Sequence, residues 1–169
     1  MRKYVGFLFG LAILCQPITA SANSLSYNVP EEVDGVPTEI SQNAEIIGHE
    51  FNICPELLEA IAYHESSYQC TAKNGPCKGL MQINAHIHKE RFAAEGWSEK
   101  DWDDAYKNMY VAASYLSDLF IEYEDVAEVL YLYNGDKTNL KRYRDSGYLS
   151  RYVQSILTKS EELERAHGK

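Results

Sequence analysis

A carboxylate ends an apolar helical stripe in the first half of the chain. Leu57 and Ile61 lead to Glu65 in steps of four, and Leu58 and Ala62 reach it by four and then three. On an α-helix these steps trace one face, so the pattern places Glu65 against apolar side chains. A carboxyl in such surroundings has a raised pKa and can hold a proton near neutral pH for delivery to a leaving group. The alternative is a stripe that ends one turn earlier, which would leave Glu65 exposed or paired at the helix end.

The first residues predict a cleaved export signal. Arg2 and Lys3 precede an apolar run over residues 4–14, which is too short to cross a bilayer as a permanent helix. Residues 20–22, Ala-Ser-Ala, have the small-x-small form of a cleavage site. We therefore expect a signal peptide over residues 1–22, no permanent membrane anchor, and an exported protein that lies in the periplasm or outside the cell.

The charge of the chain argues against two classes of partner. The formal net charge is −9 at pH 7, and removal of Arg2 and Lys3 with the signal takes it to −11. Proteins that bind nucleic acid or anionic lipid surfaces concentrate Lys and Arg instead. We therefore expect neither partner, and any ligand has to be selected by local contacts rather than by long-range attraction.

The spacing of apolar residues predicts a mainly α fold. Residues 23–37 are polar and contain two prolines and a glycine, which indicates a flexible lead-in. Residues 38–169 are expected to form a single helical domain, with a loop over residues 70–84 that holds a small hairpin. Beyond the stripe at Glu65, the predicted helices are marked by Ile40, Ala44, Ile47 and Phe51; by Met109, Ala112, Ala113, Leu116, Leu119 and Phe120; by Val126, Val129 and Leu130; and by Leu149, Tyr152, Val153, Ile156 and Leu157.

Three further signals set helix boundaries. Pro55 fits the first turn of the Glu65 helix, where its missing N–H costs nothing. Ser98 and Asp101 form a capping-box-like start for the next long helix. Residues 161–165 carry four charges, which predicts that the last helix fades into a solvated end.

The three cysteines beyond the signal allow one disulfide. Cys54 and Cys70 flank the Glu65 helix and lie roughly 20 Å apart at about 1.5 Å per residue, whereas a disulfide needs Cα atoms within about 7 Å. Cys70 and Cys77 bracket a turn-forming loop that brings its ends together. We expect a Cys70–Cys77 bond with Cys54 free, and Cys54–Cys77 is the alternative.

Three short motifs occur in a specific order along residues 44–136. Glu65-Ser66 ends the apolar helix, Gly-Leu-Met-Gln follows at residues 79–82, and Tyr-Asn-Gly follows at residues 133–135. In this order they resemble the catalytic domain of the soluble lytic transglycosylases, relatives of goose-type lysozyme that cleave bacterial peptidoglycan. The resemblance implies a lysozyme-like helical domain with a small hairpin region beside the active-site groove. It implies Glu65 as the catalytic residue, no cofactor, and contacts to the glycan strand from Ser66, Met81, Gln82, Tyr133 and Asn134.

The chemistry implied by this family needs a single carboxylate. Glu65 would protonate the bridging oxygen while the 2-acetamido oxygen of N-acetylmuramic acid attacks its own C1. Glu65 would then take the proton of the C6 hydroxyl, which closes onto C1 and leaves a 1,6-anhydro end. Glycosidases more often use a second carboxylate.

Two alternative functions remain open at this stage. A muramidase would use water, with a second carboxylate from Asp101, Asp103 or Asp104. A non-catalytic wall-binding protein is the alternative from another class. Small transglycosylases of this build often accompany secretion or conjugation machinery, which such a protein would help to assemble.

Several residues depart from the family pattern or carry competing interpretations. Leu132 precedes Tyr133 where the family usually has a small alanine, so the groove is expected to be narrower. Trp97 and Trp102 suit either sugar stacking or packing. The histidines match no tetrahedral zinc spacing, so no metal site is expected; they are His64, His86 and His88.

Overall fold

The structure is a computed structural model that describes residues 32–169. The predicted signal peptide over residues 1–22 lies outside the described residues. So do residues 23–31 of the predicted lead-in. The rest of the lead-in, residues 32–37, is not an extended tail but a small hairpin whose Val36 side chain is fully buried. Its burial explains the difference, because an apolar side chain that packs on the core ties down the segment that carries it.

Seven helices and two short hairpins make up the described residues. The first hairpin pairs β1 (Glu32–Val33) with β2 (Val36–Pro37), and the second pairs β3 (Lys73–Asn74) with β4 (Cys77–Lys78). The helices are α1 (Thr38–Phe51), α2 (Pro55–Ser66), α3 (Lys89–Ala94), α4 (Ala105–Glu122), α5 (Val126–Tyr133), α6 (Lys137–Ser146) and α7 (Arg151–Ala166). The predicted mainly α fold is confirmed.

Helix α2 is the centre of the domain. Leu58, Ala60 and Ile61 have no exposed surface, because α1, α4 and α7 all pack against this helix. Pro55 is its first residue, as the sequence predicts. The helix ends at Ser66, and Ser67 after it adopts the left-handed conformation that caps the helix. The apolar stripe that leads to Glu65 is therefore buried along its whole length.

Helix α4 supplies the opposite wall of the core. Of its predicted apolar stripe, Met109, Ala112, Ala113 and Leu116 have no exposed surface. The helix starts later than the capping pattern predicts. The Ser98 N–H does donate to Asp101 Oδ2 at 2.8 Å, but the segment that follows is a 3₁₀ turn, Asp101–Asp103. Asp104 caps α4 instead and accepts a hydrogen bond from the Lys107 N–H at 3.0 Å.

Two helices have no counterpart among the sequence predictions. Helix α3 buries only Phe92, and helix α6 buries only Leu140. A helix that buries one side chain leaves no apolar periodicity to detect. Both are surface helices that connect the longer ones.

The C-terminal end of α7 docks onto the domain. Leu163 is almost fully buried, and the buried Glu56 at the start of α2 accepts from Lys169 Nζ at 2.7 Å. His167 Nδ1 lies 2.8 Å from the same Glu56 oxygen. The charged segment at residues 161–165 was predicted to be a solvated helix end. In the structure Glu161, Glu162 and Arg165 are exposed, as a solvated helix end requires, while Leu163 is buried and the helix runs on to Ala166.

Within residues 32–169 we find no helix that combines the length and the apolar character needed to cross a membrane.

The contacts of Glu56 predict a specific loss of stability in acid. Burial raises the pKa of this carboxyl, but hydrogen bonds from Cys54, Lys169 and His167 outweigh burial and lower the pKa from 4.5 to about 2. A carboxyl with a lowered pKa stabilises the fold above its unfolded pKa and stops doing so as the pH falls through the folded value. We expect Glu56→Gln to cost about 1–3 kcal/mol at pH 7, and the difference from the unsubstituted protein to shrink between pH 4.5 and pH 2.

Urea unfolding at several pH values measures this difference. The exposed Glu162→Gln is the control and should leave stability unchanged. A Glu56→Gln effect that stays constant down to pH 2 would contradict the assignment of this carboxylate.

Candidate active site

Glu65 lies in the last turn of α2 and is half-buried. The Tyr152 hydroxyl, from the first turn of α7, donates to Glu65 Oε1 at 2.8 Å. Burial raises the pKa of Glu65, and the Tyr152 hydrogen bond offsets part of this rise because it stabilises the charged form. The sequence predicted that Glu65 lies against apolar side chains, and its partial burial agrees with that prediction. A carboxyl with a raised pKa can donate a proton near neutral pH.

Tyr152 reaches Glu65 because a buried tyrosine fixes the start of α7. Tyr131 has no exposed surface, and its hydroxyl donates to the Tyr148 carbonyl at 3.1 Å and accepts from the Ser150 N–H at 2.7 Å. Ser150 is the N-cap of α7. The His64 ring packs against Tyr152 with ring centroids 4.7 Å apart. Sequence analysis placed Tyr152 only in an apolar helical stripe, where nothing marks one tyrosine as a partner of Glu65.

The Gly-Leu-Met-Gln turn is held by one buried amide. Asn108, on α4, accepts from the Met81 N–H at 2.8 Å and donates through Nδ2 to the Lys78 carbonyl at 3.2 Å and the Trp102 carbonyl at 2.8 Å. Gly79 packs directly on this amide with φ +81°, and a Cβ there would collide with Asn108 and the Trp102 carbonyl. Only glycine fits this close approach. The glycine of the Gly-Leu-Met-Gln motif is therefore required for the shape of the turn.

Tyr133 joins the turn to the end of α5. Its hydroxyl donates to the Met81 carbonyl at 2.7 Å. Burial and the nearby Glu65 charge raise the pKa of Tyr133 well above its ordinary value, so the phenol stays protonated. Gly135 follows in the left-handed conformation and ends the helix. The Tyr-Asn-Gly motif thus places a tyrosine hydroxyl between the turn and the neighbourhood of Glu65.

The Gln82 side chain is partly engaged by its own loop. Gln82 adopts φ +47°, and its Nε2 donates to the Gly79 carbonyl at 2.9 Å and the Ala72 carbonyl at 3.2 Å. The sequence analysis expected both a donor and an acceptor for the sugar acetamido group. The donor is used inside the loop, which leaves the side-chain oxygen as the group that can accept a hydrogen bond from a ligand.

A groove of about 320 Å³ lies between the end of the Gly-Leu-Met-Gln turn and the Tyr-Asn-Gly motif. Glu65 does not line this groove, but its charge acts on Tyr133, which does. Gln82, Tyr133 and Asn134 line it together, so the structure brings three of the predicted contact residues to one surface. Leu132 packs on the core and also lines the groove. It therefore lies where a leucine in place of alanine would narrow the groove. Cys77 lies on the same surface, where burial and, to a smaller extent, the Glu65 charge raise the pKa of its thiol.

Two of the predicted contact residues do not present their side chains to this groove. The Met81 side chain has no exposed surface, so it forms part of the core rather than a wall for a sugar. Met81 contributes to the site through its backbone, because its N–H donates to Asn108 and its carbonyl accepts from Tyr133. Ser66 is nearly buried, and its hydroxyl donates to the Ala62 carbonyl of α2 at 3.1 Å. Both residues therefore shape the site without facing it.

The predicted Cys70–Cys77 disulfide is not formed, and Cys54, Cys70 and Cys77 are all free. The hairpin register explains this difference from the prediction. Asn74 pairs with Cys77, so Cys70 lies four residues along the chain from the position opposite Cys77. Cys77 faces the groove, and Cys70 lies where the charges of Glu39, Asp103 and Asp104 reach it.

The tryptophans lie outside this arrangement, whereas His88 lines the groove and His64 packs on Tyr152. Trp97 packs on Tyr106 and Tyr110, with ring centroids 6.1 and 5.3 Å apart. Trp102 lies beside the β3–β4 hairpin, and neither tryptophan lines the groove. In the part of the chain that the structure describes, no group of three or more His, Cys, Asp or Glu side chains is placed to hold a metal ion.

Comparison with known families agrees with this geometry. The model of the Transglycosylase SLT domain family matches residues 42–152, from α1 to the tyrosine that contacts Glu65. The match covers more than half of the chain, so the protein belongs to this family. Membership supports a lytic transglycosylase-like or lysozyme-like action on peptidoglycan. A search of curated proteins found no match.

The Tyr152 contact predicts the direction of a measurable pKa change. Tyr152→Phe removes the hydroxyl that stabilises charged Glu65, so the pKa of Glu65 should rise further. Carbon-detected NMR titration of the Glu65 carboxyl measures this change directly. Tyr148→Phe is the control, because only the backbone of Tyr148 contacts the site and the titration should not move. An unchanged or lower pKa in Tyr152→Phe would show that the hydrogen bond does not act on the acid.

Proposed function

We propose that this protein is an exported peptidoglycan lytic transglycosylase that cleaves the bond between N-acetylmuramic acid and N-acetylglucosamine. Glu65 is its single acid and base, and the reaction leaves a 1,6-anhydro-N-acetylmuramic acid end. The observation that carries the proposal is a half-buried carboxyl with a raised pKa, held by Tyr152, beside a groove lined by Gln82 and Tyr133. The apolar segment before residue 15 and the Ala-Ser-Ala site support export.

The surroundings of Glu65 favour a mechanism with one carboxylate. Burial and the Tyr152 hydrogen bond account for the pKa shift of Glu65, and no other carboxylate of residues 32–169 contributes to it. Two of the three aspartates considered as a second carboxylate are used elsewhere. Asp101 accepts from the Ser98 N–H and pairs with Lys107, and Asp104 caps α4. These contacts support the lyase over a muramidase that relies on a second carboxylate.

The chemistry then follows from the properties of the substrate. Protonated Glu65 gives its proton to the bridging oxygen while the C1–O bond breaks and the sugar becomes oxocarbenium-like. The acetamido oxygen of the same sugar forms a bond to C1 and takes the place of a carboxylate nucleophile. Ionised Glu65 next removes the C6 hydroxyl proton, O6 bonds to C1, and the acetamido oxygen leaves. Glu65 is protonated again, and water is not consumed.

The groove residues have separate roles in this mechanism. Gln82 Oε1 is the acceptor that the loop leaves for the acetamido N–H. The Tyr133 hydroxyl donates its hydrogen bond to the Met81 carbonyl, so the phenol oxygen remains as a second acceptor for the ligand. Tyr152 holds Glu65 Oε1, so Oε2 is the oxygen from which a proton would be delivered. Exposed Asn134 lines the outer part of the groove.

Glu65→Gln tests the acid directly. The amide keeps the shape and removes the transferable proton, so digestion of purified peptidoglycan should fall by about 10²–10⁴-fold, the usual contribution of a general acid. Glu124→Gln is an exposed control with the same change of charge and should retain activity. Thermal melting of each variant measures whether the fold persists. Near-normal digestion by folded Glu65→Gln would reject this assignment.

Analysis of the products separates the lyase from the hydrolase. Mass spectrometry of the digest should find 1,6-anhydro-N-acetylmuramic acid ends and no oxygen from isotopically labelled water. Reducing ends that carry the label would identify a muramidase instead. A protein that binds peptidoglycan and releases no fragments at all would be the non-catalytic alternative.

A further inference from the structure

The β3–β4 hairpin brings two like charges together. Its register pairs Lys73 directly with Lys78. Side chains directly opposite in an antiparallel pair lie about 5 Å apart at Cβ, and like charges at such positions destabilise the pair. A hairpin of two residues per strand gains little from its own hydrogen bonds. The repulsion between these two lysines therefore has to be offset by another contact of their ammonium groups.

A tryptophan supplies the compensating contact. Lys73 Nζ lies 5.0 Å and Lys78 Nζ lies 5.5 Å from the centre of the Trp102 ring, within the range of cation–π attraction. Among the described residues, neither ammonium group forms an ion pair with a carboxylate. In a chain of net charge −9, two adjacent cations have been left without an anion. We call Lys73, Lys78 and Trp102 the lysine–tryptophan cluster.

The backbone beneath the cluster is rigidly joined to the candidate active site. The Lys78 N–H donates to the Ile83 carbonyl at 3.0 Å. The carbonyls of Lys78 and Trp102 both accept from Asn108, the amide that also holds the Met81 N–H. The cluster therefore keeps a fixed position relative to the Gly-Leu-Met-Gln turn.

The cluster also borders a second depression that adjoins the groove. This depression has a volume of about 320 Å³, and Lys78, Trp102, Lys100 and His86 are among its lining residues. Asn84 lines both the depression and the groove, so the two meet there. Lys100 adds a third cation. The one carboxylate in the lining, Glu99, is 3.4 Å from His86.

We propose that the lysine–tryptophan cluster binds carboxylates of the stem peptides that peptidoglycan carries on its muramic acid residues. This inference rests on the proposed function, since a glycan strand in the groove carries such peptides along its length. The unpaired ammonium groups of Lys73 and Lys78 bind the carboxylate, and Trp102 is a positioning residue that holds the two cations together. The protein would then prefer peptide-bearing strands to bare ones.

A kinetic experiment on three substrates tests the preference. The substrates are uncross-linked peptidoglycan with its peptides, the same strands stripped of peptides by an amidase, and peptide-bearing strands whose carboxyl groups have been amidated. We expect Lys73→Gln/Lys78→Gln to lose about fivefold in kcat/KM on the first substrate, the scale of two partly exposed ion pairs. The loss should appear in KM, with little change on the other two substrates.

Matched variants distinguish this role from a general effect of charge or folding. Lys137→Gln/Lys141→Gln removes the same charge from exposed positions of α6 and should leave all three rates unchanged. Lys73→Arg/Lys78→Arg keeps the cations and should keep the preference. Trp102→Leu should reduce the preference without loss on stripped strands. Melting temperatures should not fall in the lysine-to-glutamine variant, because the repulsion between the two strands is relieved.

Each other outcome overturns the inference. An equal loss on all three substrates would place the lysines in the glycan groove, and no loss on any would leave the cluster without a role in binding. A loss that persists on stripped strands would assign the cations to the lactyl carboxylate of bare muramic acid instead.

A binding measurement separates this inference from the proposed function. A soluble N-acetylmuramyl peptide should shift the Trp102 indole N–H resonance in NMR spectra, and its carboxyl-amidated form should not. This measurement needs no cleavage, so it can succeed even if the protein proves to be a wall-binding protein without activity. If the protein cleaves peptidoglycan but the Trp102 resonance does not shift, the proposed function stands and carboxylate binding by the lysine–tryptophan cluster is refuted.

Discussion

One buried amide holds together the parts of the protein that form the site. Asn108 binds three backbone groups that belong to the hairpin, the Gly-Leu-Met-Gln turn and the 3₁₀ turn before α4. These segments contain little regular structure of their own, so their backbone groups need partners from elsewhere. Because the amide has no exposed surface, each bond is protected from water, and the loss of any one leaves a buried polar group unpaired. The close packing of Gly79 on the same amide follows from this arrangement.

A second constraint is the antiparallel packing of α2 and α7, which have polar contacts at both ends. At one end Tyr152 donates to Glu65, and at the other His167 and Lys169 contact Glu56. The two carboxyls respond oppositely to their surroundings. Burial dominates at Glu65 and raises its pKa, while several donors dominate at Glu56 and lower its pKa to about 2. The same pair of helices therefore holds one carboxyl suited to carry a proton and one that stabilises the fold as an anion.

The motif residues divide into those that build the site and those that face it. Met81 and Ser66 contribute buried backbone or helix contacts, and Gln82 uses its amide nitrogen within its own loop. The atoms left for a ligand are amide and phenol oxygens in the groove and the carboxylate of Glu65, whose charge acts on the groove residue Tyr133. A short motif can thus be specific for a family because of the backbone shape it permits, as much as because of the side chains it presents.

The sequence alone determined the helices with strong apolar stripes, the position of Glu65 at the end of one such stripe, and the family, because periodicity and ordered motifs are local properties of the chain. It missed α3 and α6, each of which buries one side chain. It also predicted a Cys70–Cys77 bond that the structure does not contain, because hairpin register is not visible in spacing. Tertiary structure alone decided that Tyr152 is the partner of Glu65, 87 residues away along the chain. It also decided that two lysines share one tryptophan ring. Such contacts depend on how distant segments pack, and packing is set by the whole core rather than by any neighbouring residues.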